Sequence, residues 1–441
     1  RWGYFPSGAF AWRMSKEKFL KDVRAIYDAK LRVSYGFTGN NRVSDYAYMD
    51  LIEFSQSGGS YSWENGSPTL GAYMTRLGNP NLKWETTEAF DVGYDLSLFK
   101  NRVEFVFDYY SRTTRDLLLL ADMPNHTGYS QAFKNIGSLR NSGLEFTLNT
   151  VNLDSKNFKW QSNFNISFNK NKILGLAQNQ NLMLQNVSWN NSYINEPLYI
   201  AEVGQPAGQM FGYVWEGNYQ YEDYVDDGSG SYTELKPGIP VNNPDGTAVQ
   251  PGDIKYRDLN GDGIINNSDR TIIGRGTPIH TGGFYNNFAY KGFQLGVLFQ
   301  WVYGNDILNA NKIMFEGAAV NNLNQFASYA NRWSPENQTN ENYRTGGQGP
   351  VARYSTKHIE DGSFLRLKTV ELGYYLPNKL LSRHKISSLG VTVAAQNLLV
   401  WSNYSGFDPE VSTKPSVLTP GFDFSAYPHA RTVVVGLKMG F

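Results

Sequence analysis

Residues 90–110 read FDVGYDLSLFKNRVEFVFDYY, and this stretch decides the fold. Phe90, Val92, Tyr94, Leu96 and Leu98 fall on one face of an extended chain, with Asp91, Gly93, Asp95 and Ser97 on the other. That period of two marks a half-buried strand. After Lys100 and Asn101 the alternation resumes, with Val103, Phe105, Phe107 and Tyr109 against Arg102, Glu104, Val106 and Asp108. A two-residue turn pairing Phe99 with Arg102 brings the apolar faces to one side. The same register gathers Asp91, Asp95, Glu104, Asp108, Arg102 and Tyr110 on one polar wall.

The pattern recurs on both sides of this hairpin. Leu31, Val33, Tyr35 and Phe37 alternate before it. After it, Leu144, Phe146 and Leu148 oppose Glu145, Thr147 and Asn149, while Trp160, Ser162, Phe164, Ile166 and Phe168 oppose Asn163, Asn165, Ser167 and Asn169. Phe293, Leu295, Val297, Phe299, Trp301 and Tyr303 form the longest stripe, and Val433, Val435, Leu437, Met439 and Phe441 the last. Soluble strands average about five or six residues, whereas these stripes cover about 9 to 11, the length a tilted strand needs to cross a bilayer. Short connections (100–101, 151–157, 291–292, 377–387) alternate with long ones (roughly 40–81, 113–134, 175–200, 304–362, 401–427). A membrane barrel with tight turns at one end and extended loops at the other has this organisation.

The fold class expected is therefore all-β, a transmembrane antiparallel β-barrel of 11 strands, or 13 if residues 197–203 and 208–215 add two. Single-chain bacterial barrels have even strand numbers, so an odd count predicts that these strands do not close a barrel alone. The opening stretch RWGYFPSGAFAWRMS has no charged n-region, apolar h-region or cleavage site and reads as the inside of a strand. The expectation is a chain that continues something larger.

Composition sets further bounds. Among 441 residues, 40 Lys+Arg balance 40 Asp+Glu, which removes any general pull toward nucleic acid. Aromatic residues make up 15% and glycine numbers 43, arguing against disorder and against a helical bundle. With no cysteine, disulfides, thiolate metal sites and cysteine nucleophiles are excluded. No run of about 18 apolar residues exists to form a spanning helix.

Three groups of residues are candidates for chemistry. Residues 258–269, DLNGDGIINNSD, fit the twelve-position calcium loop with Asp in the last place. Hard cations need several converging oxygens. Asp258, Asn260, Asp262, the Ile264 carbonyl, Asn266 and Asp269 are expected to supply them around the Gly263 turn, with Ile265 facing the apolar side. The alternative is an Asx/Gly turn that binds no metal. The carboxylates of the polar wall could act as an acid and base pair in glycoside hydrolysis, but among Arg and Asn on adjacent strands they read as a solvated wall. His126, His280, His358, His384 and His429 are scattered without metal spacing, and no nucleophile elbow or phosphate loop occurs, so no enzyme is expected. Trp63, Trp189, Tyr193, Tyr219, Trp333 and Tyr404, in the long loops, could stack on sugar rings, hold peptide side chains, pack the loops or line a partner interface.

Several blocks together resemble one family. They are RWGYFPSGAFAWRMS, LRVSYGFTGNN, LGNPNLKWETTEAFDVGYDLSLFKNRVEFVFDYYSRTTRDLL, NIGSLRNSGLEF, GDIKYRDLNGDGIINNSDRTIIG, DGSFLRLKTVELGYYLP, AAQNLLVWSNYSGFDPEV and a terminal Phe. In this order they are similar to the C-terminal barrel portion of SusC/RagA-like TonB-dependent outer-membrane transporters, as found in Bacteroidetes. The resemblance covers nearly all of residues 1–441, with residues 258–269 inside a 204–279 loop region. It implies a 22-stranded barrel around an internal plug, importing glycans or oligopeptides with energy from TonB beneath a SusD-like surface lipoprotein. The plug and the TonB-contacting segment have no counterpart in these residues. A passive porin or adhesin barrel, or a soluble glycan-binding β-protein, would share parts of the pattern.

Overall fold

The computed structural model describes all residues except 1, 42–45, 56–65, 68–70, 123–130, 136, 177–179, 227, 229, 243–247, 318–322, 348–352, 382–385 and 415. Eleven strands run as one antiparallel meander: β1 (Ser7–Arg13), β2 (Ile26–Asn40), β3 (Glu85–Leu98), β4 (Val103–Arg115), β5 (Ser138–Asp154), β6 (Phe158–Gly175), β7 (His280–Tyr290), β8 (Phe293–Tyr303), β9 (Phe364–Tyr375), β10 (Ser388–Ser402) and β11 (Thr432–Gly440). Each pairs only with its neighbours in sequence, so β1 and β11 are the sheet edges. Eleven is the smaller of the two expected counts. Pro197–Glu202 and Gln209–Gly212, the segments that would have made 13, belong instead to a separate four-stranded sheet among the loops.

The register puts the alternating residues where the sequence pattern requires. Leu96, Phe105, Leu148, Phe164, Phe284 and Phe299 lie opposite one another in turn across β3 to β8. Stacked rows of this kind make a continuous apolar band. Its side chains stay exposed on the chain itself: Leu372 is 50% exposed, Trp401 49% and Val435 72%. In water a band this large would be an aggregation hazard; against hydrocarbon it is the required surface. Aromatic residues gather at both ends, Trp160, Phe288, Phe293 and Tyr374 toward the short turns and Phe168, His280 and Tyr303 toward the long connections.

Turn chemistry fixes that register. Lys291 and Gly292 both have positive φ and join Tyr290 to Phe293 in a two-residue hairpin whose twist matches the strands. The β3–β4 turn differs from the two-residue expectation. Leu98 still opposes Val103, but Phe99, Lys100 and Asn101 have φ of 52°, 59° and 63°, and the Arg102 N–H donates to the Leu98 carbonyl at 3.0 Å. Four residues form the loop, and Arg102 leaves the ladder.

The two largest buried clusters lie outside the sheet. Connections 176–279, 304–363 and 403–431 fold together at one end, where Val187, Leu198, Tyr199, Met210, Leu308, Tyr354 and Phe422 share one buried cluster. A second cluster joins Tyr213, Ile254, Tyr256, Ile265 and Tyr343. Tyr199 spans two connections by donating to the Pro420 carbonyl at 2.6 Å. Burying aromatic bodies while hydroxyls find carbonyls lets loops without long regular elements hold one shape.

Candidate functional site

Two surfaces carry polar chemistry: the polar face of the sheet and the folded loops above it. On the sheet face, Arg32 of β2 crosses β3 and holds two carboxylates, Asp95 and Asp108, each at 2.8 Å. Gly93 makes the crossing possible, since it sits between Arg32 and Asp108 in register. A Cβ there would lie 2.3 Å from Asp108 Oδ1 and 2.5 Å from Arg32 Nη2. Asp91 pairs with Arg112 at 3.5 Å. A second glycine gap, Gly143, lets Tyr110 reach over β5 and donate to Asn169 Oδ1 at 2.9 Å.

Of the expected wall residues, the structure thus brings Asp91, Asp95, Asp108 and Tyr110 together and supplies cations that the hairpin alone did not reveal. Glu104 sits nearer the short turns, beside Asn149, Asn163, Gln161, Asn287 and Tyr285, around a cleft of about 320 Å³. Arg102 is a correction. Because the turn is wider than two residues, its guanidinium reaches the Val151 and Asn152 carbonyls at 3.2 and 3.1 Å, so it closes the end of β5 instead of joining the wall. Asp95 and Asp108 flank one guanidinium, with both Asp95 oxygens and one Asp108 oxygen engaged, so the ladder is charge-paired and keeps a net negative charge. Arg32 was missed because its partners lie 63 and 76 residues away.

The loop aromatics are also placed differently from a substrate platform. Tyr219 is fully buried, donating to the Pro240 carbonyl at 2.6 Å. Tyr193 is buried in the largest loop cluster, with Trp189 packed against it, and the Trp189 indole donates to Tyr354 Oη at 2.7 Å. Trp333 donates to Gln220 Oε1 at 2.8 Å, and Tyr404 donates to Asp423 Oδ2 at 2.5 Å. Both side chains are more than nine-tenths covered. Tyr193, Tyr219, Trp333 and Tyr404 are core and Trp189 packs partly buried against it, because the connections must bury apolar surface to fold at all. Trp63 lies outside the described residues.

Residues 258–269 close on themselves. Asp258 accepts from the Gly261 and Gly263 N–H groups, both at 2.7 Å. The Gly263 bond leads the causes that hold its carboxyl below the usual range. Asn260 accepts from the Asp262 N–H, Asp262 from the Ile264 N–H and Asn266 from the Ser268 N–H. Asp269 is fully buried and spends both oxygens on the Leu259 and Asn266 N–H groups, at 2.9 and 2.8 Å. The Ile264 carbonyl accepts from the Asn266 amide. Ile265 turns inward as expected. The oxygen chemistry suits a hard cation, yet the carboxylates do not converge. Among the described residues no three His, Cys, Asp or Glu side chains are arranged to hold a metal ion.

Two buried networks had no clear signal in the sequence. Arg366 of β9 holds Asp408 at 2.5 Å, and His429 Nδ1 meets the other Asp408 oxygen at 2.8 Å. Burial would raise the Asp408 carboxyl, but the N–H bonds from Glu410 and His429 and the two side-chain partners hold it low. Lys357 donates to the Glu341 carbonyl and to Asn342 Oδ1 beneath the Trp215 ring. Burial, opposed by Glu316, brings its amine down to about 8.

A meander with an outward apolar band, aromatic ends, a charge-paired inner wall and folded loops at one end is part of a transmembrane β-barrel. The family description "TonB dependent receptor-like, beta-barrel" matches residues 1–329, and the chain belongs to that family of outer-membrane barrels. It is 36% identical over its whole length to TonB-dependent receptor P3 of Formosa agariphila, covering 42% of that protein. To TonB-dependent receptor SusC of Bacteroides thetaiotaomicron it is 29% identical, covering 40%. Among solved structures, that of the RagAB peptide transporter superposes with a TM-score of 0.77 at 26% identity, over 99% of this chain and 43% of that one. The chain spans about two fifths of the length of these relatives.

Proposed function

We propose that this chain is wall and external cap of a TonB-energised importer that carries large nutrients, glycans or oligopeptides, across the outer membrane beneath a SusD-like surface lipoprotein. The single observation that carries this reading is the folded loop assembly. Three connections share one buried core above a polar wall, which suits a rigid seat for a lid better than the open mouth of a passive pore. The Arg32 ladder would face the lumen and the apolar band lipid. Calcium at residues 258–269 is a separate proposal, supported by the oxygen-rich positions and not by their present convergence.

Native mass spectrometry of the detergent-extracted particle, followed by denaturing analysis of its components, tests the main reading. This chain travelling with a plug-bearing segment and a lipid-modified protein is the expected result. A barrel with neither would point to a passive porin or adhesin, and a detergent-free monomer of 49.8 kDa would refute a membrane role.

A further inference from the structure

Four cations project from the apolar side of the sheet just beyond its hydrophobic band. Tyr109, Leu144 and Phe168 form the last apolar row on β4, β5 and β6. The next positions on that same face are Ser111, Ser142 and Lys170, then Thr113, Arg140 and Lys172, with Arg115 beyond. At about 3.3 Å per residue and a tilt near 40°, Lys170 and Lys172 stand about 5 and 10 Å above Phe168. That is the headgroup layer at the long-connection end.

Arg140 and Lys172 are direct cross-strand partners, and like charges directly opposite on one face are destabilising. All four side chains are exposed. Of the four, only Arg115 is ion-paired among the described residues, to Glu88 at 3.3 Å. That carboxylate also accepts from Tyr35 at 2.9 Å, and Arg140 has a neutral partner, Thr113 Oγ1, at 3.2 Å. Glu88 acts on Arg140 as well as on Arg115, and this one carboxylate beside four cations leaves a surplus of positive charge on neighbouring strands that calls for an anion from outside the chain. A phosphate suits them, because guanidinium and ammonium groups both bind it and three converge within one patch.

We propose that Arg140, Lys170 and Lys172, flanked by Arg115, bind the phosphate of a membrane-lipid headgroup in the outer leaflet. The apolar rows immediately below them supply the acyl-chain contact that a free phosphate ion would not use. The inference rests on the barrel's placement in the membrane and is independent of what the barrel imports.

The test is native mass spectrometry of the full protein extracted from its own membrane in mild detergent, reading retained phosphorylated lipid. R140Q/K170Q/K172Q is compared with K100Q/K159Q/K291Q, which removes as many charges at the short-turn end. Retention should fall roughly tenfold or more in the first variant and stay near the parent level in the second. Equal retention by the first variant, or equal loss in both, would overturn the proposal. Should the first variant not assemble, unaltered protein is offered mixed micelles of a bisphosphorylated glycolipid or its dephosphorylated form. Equal binding of the two forms, or full displacement by millimolar inorganic phosphate, would also overturn it; selective binding that resists inorganic phosphate supports it.

Discussion

Phe299 and Gln300 are adjacent on β8, and the pleat sends them to opposite faces. Phe299 lies between Phe284 and Leu367 in the middle of the apolar band, about 20 Å along the strand from Phe293 and close to mid-bilayer once tilt is included. Gln300 lies between Gly283 and Arg366 on the polar face. Phe299→Arg places a charge in hydrocarbon, at a cost of about 2–4 kcal/mol at the midplane. At 1.4 kcal/mol per tenfold, the folding equilibrium shifts roughly 30- to 700-fold. Gln300→Arg puts the same charge one residue away into a polar lumen and should cost about 1 kcal/mol or less, chiefly from the nearby Arg366. The assay is heat-modifiable migration of the full protein in outer-membrane fractions, with a urea midpoint for whatever assembles. Loss of the folded band for F299R with retention for Q300R is expected. Equal behaviour of the two would refute the assignment of the apolar face to lipid.

Other outcomes follow from particular contacts. Gly93→Val inserts a side chain where even a Cβ meets Asp108 and Arg32; overpacking and loss of the ladder should cost about 1–3 kcal/mol, read as a lower urea midpoint, whereas Ser97→Ala on the same face should change little. Tyr219→Phe deletes the donor to Pro240 and should cost the loop core about 1–3 kcal/mol with substrate affinity unchanged, so hydrogen exchange in 215–256 should accelerate while a binding isotherm stays put. Asp258→Ala with Asp262→Ala should loosen residues 250–275 without unfolding the barrel; elemental analysis then decides calcium, since metal present in the parent and lost in the variant supports it and an equal content in both sinks it. Lys357, near 8 when folded against 10.5 ordinarily, binds fewer protons folded than unfolded between those values. Stability of the 304–363 connection should therefore rise with pH through that window and be lowest below it; hydrogen exchange there, corrected for its intrinsic pH dependence, would contradict this if protection fell.

How much was legible depended on the range of the interaction. The period of two in Phe90–Leu98 and Val103–Tyr109 identified strands, faces and register from a few neighbouring residues, because alternation is a property of the backbone. The same reasoning found the short and long connections and counted the 11 strands. It failed first at the turn, where three consecutive left-handed residues, Phe99 to Asn101, moved Arg102 out of the wall. It also left Asn286 unexplained on the apolar face, where that side chain accepts from Trp160 and Ser162 at 3.0 and 2.7 Å.

The candidate site was legible only in part. Asp91, Asp95 and Asp108 could be placed on one wall from sequence, but Arg32 could not be joined to them without knowing that β2 pairs with β3 across the 41–84 connection. The loop aromatics gave no periodic signal to tell core from contact surface; Tyr193, Tyr219 and Tyr404 became core once three distant connections met. By itself, then, the sequence determined the strand pattern, the faces and the family, all carried by residues close in the chain. Only the tertiary structure decided which charges are paired, which rings are buried and where Arg140 confronts Lys172, because each of those depends on the strand register and on connections meeting over tens to hundreds of residues.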